Sequence, residues 1–262
     1  MIGAIIGDVA GSRFEWNNHL SKEFEFFAPD CRCTDDSIMS LAAAKALLES
    51  DSAFDDLSAQ AVRWFREVGC RYPDGWYSRR FKAWLLSEDP QPYGAQTNGA
   101  AMRVSACAYA ARSLEEAKQL SRAVTEITHN SPEGIKGAEA VTVAVYMART
   151  GSSMAEIREA IDRQYYPMNF TLDGIRDSYA FDYTCEGSVP QAFMAFFESV
   201  DLEDAIRNAI SIGGDSDTLA AIAGAVAGAY YGVPDALRER TLRYMDDGMK
   251  EILFAFEEKF CG

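Results

Sequence analysis

The chain has 262 residues, of which 48% are hydrophobic and 25% are charged, a composition typical of a globular protein with a sizeable core. Its formal net charge is −15 at pH 7, from 40 acidic and 25 basic residues. This balance argues against general nucleic-acid binding and against an anionic membrane surface as a partner, because no excess of Lys and Arg is available to neutralise phosphates.

The N-terminal segment does not have the pattern of a signal peptide, since it lacks a charged leading region and reaches Asp8 early. The longest uncharged run, residues 218–234, is shorter than the ~20 apolar residues that a membrane helix needs. The six cysteines form no CxxC pair, and Cys31-x-Cys33 is only a weak metal or redox signal. We therefore expect a cytoplasmic protein with reduced thiols and no membrane partner.

Apolar residues recur at helical spacing along most of the chain. This periodicity predicts helices at 34–50, 54–68, 113–128, 137–149, 154–165, 191–200, 201–211, 216–231 and 235–259. Strand signals are few, and the alternating segment 23–29 is predicted to be an extended loop. Loops are indicated by Pro and Gly around 69–78, 90–99, 131–137 and 167–190. Because the sequence shows no internal repeat and no linker, we predict a single compact all-α domain over residues 1–262.

The first group of oxygen-bearing side chains stands at the start of the helix predicted at 34–50. Thr34, Asp35 and Asp36 follow one another there. Helix capping is one explanation, because Thr and Asp are favoured at helix N-termini. The other explanation is a cation site, which would need more oxygen ligands from elsewhere in the chain.

A second group has the same composition and the same position relative to a helix. Residues 211–218, SIGGDSDT, place Asp215, Asp217 and Thr218 where the helix predicted at 216–231 begins. Capping explains one Asp or Thr in each group, but it does not explain two Asp beside two Gly. The Ala and Gly residues that follow permit close packing by neighbouring helices.

If the two groups meet, their carboxylates need protons or cations to neutralise them. Carboxylates ~4 Å apart repel by about 4 kcal/mol per pair at an effective dielectric near 20. An all-oxygen ligand set suits hard divalent cations such as Mg²⁺ or Mn²⁺, whereas zinc prefers His or Cys. The chain has only two His, so a zinc hydrolase is not favoured.

Several segments together resemble the ADP-ribosylglycohydrolase family, which includes the bacterial dinitrogenase-reductase-activating glycohydrolases. The resemblance covers nearly the whole chain and is carried by GAIIGDVAGSRFE (3–15), TDDS (34–37), TNGAAMR (97–103), HNSPEG (129–134), GSVPQAFMAFFES (187–199) and GGDSDTLAAIAGAVAGAYYG (213–232). The last segment is the most specific, and its pairing with TDD upstream makes chance agreement improbable. Membership implies an all-α fold with a cleft that binds two divalent cations, Mg²⁺ or Mn²⁺.

The resemblance also implies which residues form the site. The implied metal ligands are Thr34, Asp35, Asp36, Asp215, Asp217, Thr218 and Glu15, the last on a mobile loop. Asp36 and Glu15 are predicted to lie nearest the chemistry, and the sequence leaves open which of them is the base. The implied substrate contacts are Gly94, Gln96, Thr97, Asn98, Gly99 and His129. Local sequence allows a second interpretation of residues 94–99 as a plain turn with a helix cap, the first being a phosphate site at a helix N-terminus.

The implied activity is hydrolysis of the glycosidic bond between ADP-ribose and a modified target. The linkage stays open among arginine-, serine- and nucleic-acid-linked and free ADP-ribosyl compounds, because Ala95 occupies a position where some arginine-directed members carry an acidic residue. A non-catalytic ADP-ribose-binding module is the alternative. A terpenoid-synthase type of Mg²⁺ enzyme is disfavoured, since its DDxxD pattern would need Asp where the chain has Met39. We expect a monomer.

Overall fold

The computed structural model describes residues 1–261, and within them every long regular segment is helical. The α-helices are α1 (Ile2–Gly11), α2 (Asp35–Glu49), α3 (Leu57–Arg71), α4 (Arg79–Leu86), α5 (Ser105–Ala110), α6 (Leu114–Thr125), α7 (Pro132–Arg149), α8 (Met154–Gln164), α9 (Leu172–Ile175), α10 (Cys185–Phe197), α11 (Leu202–Ile210), α12 (Ser216–Tyr231), α13 (Asp235–Thr241) and α14 (Asp247–Phe260). Short 3₁₀ turns are formed by Ser12–Phe14, Asn98–Ala100 and Leu242–Tyr244. No β-strand occurs in this part of the chain, where Thr97 and Thr184 make an isolated antiparallel bridge.

Several helix ends differ from the sequence prediction. α7 begins five residues before the predicted position because Ser131 caps it and Pro132 occupies its first turn, where proline is well tolerated. α10 likewise begins earlier and contains Pro190. The single helix predicted at 235–259 is wrong, since a 3₁₀ turn separates α13 from α14. The prediction also missed α1, α4, α5 and the four-residue α9.

The centre of the fold is the antiparallel pair of α1 and α12. Gly3, Gly7 and Gly11 are spaced four residues apart and therefore lie on one face of α1, where they bring the two backbones into direct contact. A Cβ atom on Gly7 would lie 2.0 Å from the carbonyl oxygen of Ala220, and one on Gly11 would lie 2.6 Å from the Cα of Asp217. The C-terminal end of α1 therefore lies against the N-terminal end of α12.

The start of α2 also lies at this junction, because the carboxylate of Asp8 on α1 accepts hydrogen bonds from Thr34. The acidic groups predicted from the sequence thus lie where three helix ends converge. The described residues form one compact all-α domain, which confirms the predicted fold class. The domain was predicted to extend to residue 262, which lies outside the described residues. Among residues 1–261, no helix combines the length and the apolar character that crossing a bilayer requires.

Candidate metal centre

The acidic group at the start of α2 is only partly explained by helix capping. Thr34 is the N-cap residue, and its hydroxyl oxygen accepts a hydrogen bond from the backbone N–H of Asp36 at 3.2 Å. Asp36 is itself buried, with 4% of its surface exposed, and its Oδ1 atom has no hydrogen-bond partner within the described residues. Asp35 faces a cleft. Thr34 therefore caps the helix, and capping does not account for the two carboxylates.

The acidic group at the start of α12 follows a sharp turn. Gly213 and Gly214 adopt positive φ angles of 73° and 74°, which favour glycine. Asp215 is the N-cap residue of α12, yet its side chain makes no capping hydrogen bond. Its Oδ2 atom instead accepts a hydrogen bond from Asn98 Nδ2 at 2.7 Å. Asp217, in the first turn, is 3% exposed. Capping therefore does not account for this group either.

The two groups meet although they are separated by about 180 residues. The hydroxyl of Thr218 donates to Asp36 Oδ2 at 3.3 Å. Carboxylate oxygens within 4.8 Å of one another occur in two sets that share Asp217: one comprises Asp8, Asp36 and Asp217, and the other Glu15, Asp215 and Asp217. These residues, together with Asp35, which lines the same cleft, form one acidic patch at the convergence of α1, α2 and α12.

Asp8 belongs to this patch, and the sequence analysis did not identify it as a site residue. It is fully buried on α1. Its carboxylate accepts hydrogen bonds from the hydroxyl and the backbone N–H of Thr34, at 2.6 and 3.0 Å, and from the hydroxyl and the backbone N–H of Ser37. Because the Thr34 hydroxyl donates its proton to Asp8, a lone pair on its oxygen stays available to a cation. Asp8 is the single charged residue among the apolar residues of segment 2–11, and this pattern could have identified it from the sequence.

Burial and mutual repulsion raise the pKa values of the acidic patch. Burial is the main cause of the raised pKa of Asp8, about 6, and of Asp35, about 7. The pKa of Glu15 rises to about 8, through burial first and then through the charges of Asp215 and Asp35. Burial and neighbouring carboxylates also hold the pKa of Asp36 and of Asp217 well above the ordinary value. Without a cation, the patch must therefore take up protons near neutral pH.

The residues present fit hard divalent cations. The donor set consists of carboxylate and hydroxyl oxygens, which Mg²⁺ and Mn²⁺ prefer. Asp36 Oδ1 and Glu15 Oε2 are buried oxygens that lack a hydrogen-bond donor in the described residues, so both have lone pairs free for a cation. Two divalent cations would supply about +4 against the carboxylates of the patch.

A cleft of about 470 Å³ opens above the patch, within the size range of small-molecule sites. Its floor is acidic, and its walls carry aromatic side chains. Trp16 and Phe181 stack at the rim, with ring centroids 5.6 Å apart. Of the predicted site residues, those that line the cleft are Glu15, Asp35, Asp36, Thr97, Asn98, Gly99, His129, Asp215, Asp217 and Thr218. Thr34 lies behind them against Asp8.

The segment predicted to bind the rest of a nucleotide ligand is arranged differently from the expectation. The helix expected directly after Asn98 is a three-residue 3₁₀ turn. The backbone N–H of Gly94 donates to Asn130 Oδ1 at 2.7 Å, and that of Asn98 donates to Tyr183 O at 2.8 Å, so neither is free for a phosphate. Gly94 and Gln96 are exposed and lie outside the lining of the cleft. Their role as ligand contacts stays a prediction.

His129 is buried in the cleft wall. Burial, with Arg103 as a second cause, holds its pKa well below the usual value, so the ring is neutral. Its Nε2 atom lies 2.9 Å from the hydroxyl oxygen of Thr97, and its Nδ1 atom lies 2.7 Å from that of Thr128. The two hydroxyls fix the plane of the ring, and a neutral imidazole donates to one of them and accepts from the other.

Arg103 is a buried cation that the sequence analysis did not assign to the site. Its guanidinium packs 5.4 Å from the ring centroid of Phe65 and 5.1 Å from that of Phe81. Its Nε donates to Gly99 O, and its Nη1 has no hydrogen-bond partner in the described residues. The Arg103 charge lowers the pKa of Asp35 against the larger effect of burial. Arg103 therefore offsets part of the negative charge at the floor of the cleft.

The chain is similar to several known proteins along most of its length. ADP-ribosylhydrolase ARH3 from Mus musculus is 25% identical over 89% of this chain and 83% of its own length. ADP-ribosylarginine hydrolase Tri1 from Pseudomonas putida is 27% identical over 89% of this chain and 70% of its own. A solved structure titled ADP-ribosylglycohydrolase-related protein complex, 23% identical, has the same fold with a TM-score of 0.69 and covers 98% of this chain and 95% of its own. The family model for ADP-ribosylglycohydrolase matches residues 1–259. The chain therefore belongs to the ADP-ribosylglycohydrolase family.

Proposed function

We propose that this protein is a hydrolase that cleaves the glycosidic bond between ADP-ribose and a modified target and releases ADP-ribose. The observation that carries the proposal is the convergence of the buried carboxylates at the floor of a ligand-sized cleft. Family membership supports the reaction class. The relatives named ADP-ribosylhydrolase and ADP-ribosylarginine hydrolase support ADP-ribosylated compounds as substrates.

The proposed cation ligands are the residues around the patch that carry free or available oxygen lone pairs. They are Thr34, Asp35, Asp36, Asp215, Asp217, Thr218 and Glu15. When bound, two Mg²⁺ or Mn²⁺ ions would orient ribose hydroxyls and polarise a water molecule. Asp8 supports this set from behind, because it holds Thr34 and the start of α2 in place.

The carboxylates also have a direct part in the proposed reaction. Cleavage of a glycosidic bond develops positive charge on the ribose ring, and nearby carboxylates stabilise that charge. Asp36 and Glu15 are the proposed groups nearest the reacting bond, since each has a buried oxygen without a hydrogen-bond partner in the described residues. Either of them can accept a proton from an attacking water.

The wall of the cleft would position the remainder of the substrate. Neutral His129 presents an imidazole whose orientation is fixed by Thr97 and Thr128. Asn98 connects this wall to the acidic floor through its hydrogen bond to Asp215. Thr97, Asn98, Gly99 and His129 are the proposed substrate contacts. A cytoplasmic location and a monomeric state complete the proposal, and the free state of the described cysteines is in keeping with a reducing compartment.

The experiment compares arginine-, serine- and nucleic-acid-linked ADP-ribose as substrates, each with Mg²⁺, Mn²⁺ or EDTA, and measures released ADP-ribose. We expect release from at least one linkage with a divalent cation and none with EDTA. Asp217→Asn should abolish release, whereas Asp55→Asn, an exposed carboxylate outside the cleft, should retain it.

Two results would contradict the proposal. One is full activity of Asp217→Asn or of the EDTA-treated protein. The other is tight binding of ADP-ribose without cleavage of any linkage, which would instead favour a non-catalytic binding module.

A further inference from the structure

The segment that carries Glu15 needs an anchor other than the Glu15 side chain. Glu15 directly follows the 3₁₀ turn Ser12–Phe14, and its Oε2 atom is buried without a hydrogen-bond partner in the described residues. Its carboxylate lies within 4.8 Å of those of Asp215 and Asp217, and like charges at this distance repel. Whenever Glu15 is ionised and no cation is bound, electrostatics alone would therefore drive it away from the patch.

The side-chain amide of Asn18 supplies such an anchor. Its Oδ1 atom accepts a hydrogen bond from the backbone N–H of Gly214 at 2.9 Å, and its Nδ2 atom donates to the carbonyl oxygen of Gly214 at 2.9 Å. The same Nδ2 atom donates to the carbonyl oxygens of Phe14, at 2.8 Å, and Glu15, at 3.2 Å. One amide therefore connects both backbone polar groups of Gly214 to the two residues that end the turn before the cleft.

Asn18 thus clamps the Glu15 segment to Gly214, a closely packed residue next to the acidic patch. Gly214 immediately precedes Asp215 and has a positive φ of 74°. A Cβ atom on Gly214 would lie 2.5 Å from the ring of Tyr179, so the backbone there is closely packed. The clamp thus transmits the fixed position of the Asp215 turn to the segment that carries Glu15.

The residues before Glu15 are held by packing, since Phe14 is 5% exposed and Gly11 lies directly against Asp217. The remaining attachments of the segment are weaker. Trp16 stacks on Phe181 at the rim, but 73% of its surface is exposed. Arg13 and Asp30 form an ion pair with a separation of 3.5 Å at the surface, and such pairs contribute little. Asn18 therefore ties the chain on the far side of Glu15 to the start of α12 by hydrogen bonds.

We propose that Asn18 is a positioning residue, which holds Glu15 at the metal centre by clamping the Glu15 segment to Gly214. The inference takes the metal centre from the proposed function. It concerns how the centre is assembled rather than which bond is cleaved, so its test needs no ADP-ribosylated substrate.

The test uses Asn18→Asp, which keeps the shape of the side chain but removes the donor, and Asn18→Ser, which removes most of the amide. The matched control is Asn17→Asp. It introduces the same charge at the neighbouring exposed position, where the side chain makes no hydrogen bond within residues 1–261. The first readout is hydrogen exchange of the Gly214 N–H by NMR in the metal-free protein. The second is Mn²⁺ affinity by calorimetry, and the third is the melting temperature.

We expect Asn18→Ser, which removes the acceptor of the Gly214 N–H, to exchange that proton at least about tenfold faster. We expect both Asn18 variants to bind Mn²⁺ about tenfold more weakly, because both lose the donor to the carbonyl oxygens of Gly214, Phe14 and Glu15, with little change in melting temperature. Asn17→Asp should match the wild type in all three measurements. Unchanged exchange in Asn18→Ser, or unchanged Mn²⁺ affinity in both Asn18 variants, would overturn the proposal. So would an equal loss in Asn17→Asp, which would indicate a general charge effect. A collapse of the melting temperature in both Asn18 variants would assign Asn18 to stability alone.

Discussion

The raised pKa values of the acidic patch predict an unusual dependence of stability on pH. A carboxyl group whose pKa is higher in the folded than in the unfolded chain stabilises the fold while it is protonated. That stabilisation is fully present below the unfolded pKa and is lost as the pH rises through the folded pKa. For Asp8, Asp35 and Glu15 the folded pKa values are about 6, about 7 and about 8. In the absence of metal, stability should therefore fall between pH 5 and pH 8.

The size of this loss follows from Asp8 and Asp35, whose raised pKa values are due chiefly to burial. At pH 5, Asp8 lies about one pH unit and Asp35 about two below their folded pKa values. At about 1.4 kcal/mol for each pH unit, the loss on reaching pH 8 is about 4 kcal/mol. A chain of 262 residues unfolds with an entropy of roughly 0.55 kcal/mol/K, so the melting temperature should fall by about 7 °C.

The assay is thermal unfolding at pH 5, 6, 7 and 8, with EDTA or with Mn²⁺. Mn²⁺ at 100 times its dissociation constant should restore about 2.7 kcal/mol at pH 8, because it binds the folded chain alone. Asp217→Asn removes one carboxylate from the patch and should flatten the pH dependence in EDTA, whereas exposed Asp55→Asn should retain it. A melting temperature that stays constant or rises from pH 5 to pH 8 in EDTA would refute the reasoning. Equal flattening by Asp55→Asn would refute it as well.

Three further predictions concern the supports of the site. Gly7→Ala places a methyl group 2.0 Å from a backbone oxygen of α12 and should lower the melting temperature by at least about 3 °C. The control Gly248→Ala, whose methyl group would lie 3.4 Å from its nearest neighbour, should change the melting temperature little, and equal shifts would contradict the tight packing of α1 on α12. Asn98→Ala removes the hydrogen-bond donor to Asp215 and should weaken Mn²⁺ binding about tenfold in calorimetry, so an unchanged affinity would disprove this link. Thr34→Val removes the cap of α2 and should lower the free energy of unfolding, measured with urea, by about 2 kcal/mol, while Thr34→Ser should retain the wild-type value. Identical unfolding curves for the two variants would exclude the hydroxyl as a support.

Residues that are close in sequence explain why part of the site was predictable. Helix starts at 34–37 and 215–218 are visible as local patterns, and paired carboxylates there exceed what capping requires. The helical period likewise predicts most of the helices. It fails at Pro132 and Pro190, where proline was taken as a sign of a loop although it lies inside a helix. It also fails at Leu242–Tyr244, where apolar periodicity continues through a break.

The parts of the site that were missed depend on contacts between distant segments. Asp8 carries no local signature of its partners, because Thr34 and Ser37 come to it only when α1 packs beside α2. Asn18 and Gly214 are 196 residues apart, and only the packing of α1 on α12 brings them together. The phosphate site after Gly94 stays a prediction, and in this fold the N–H groups of Gly94 and Asn98 are paired with other oxygens.

By itself, the sequence determined the all-α class, the two acidic helix starts and the family, because each depends on residue type and short-range spacing. Only the tertiary structure decided which oxygen atoms share the cleft, which of them lack a hydrogen-bond donor, and which side chains hold them in place. The physical reason is that the repulsion between these carboxylates is overcome by packing and hydrogen bonds contributed by segments far apart in the chain.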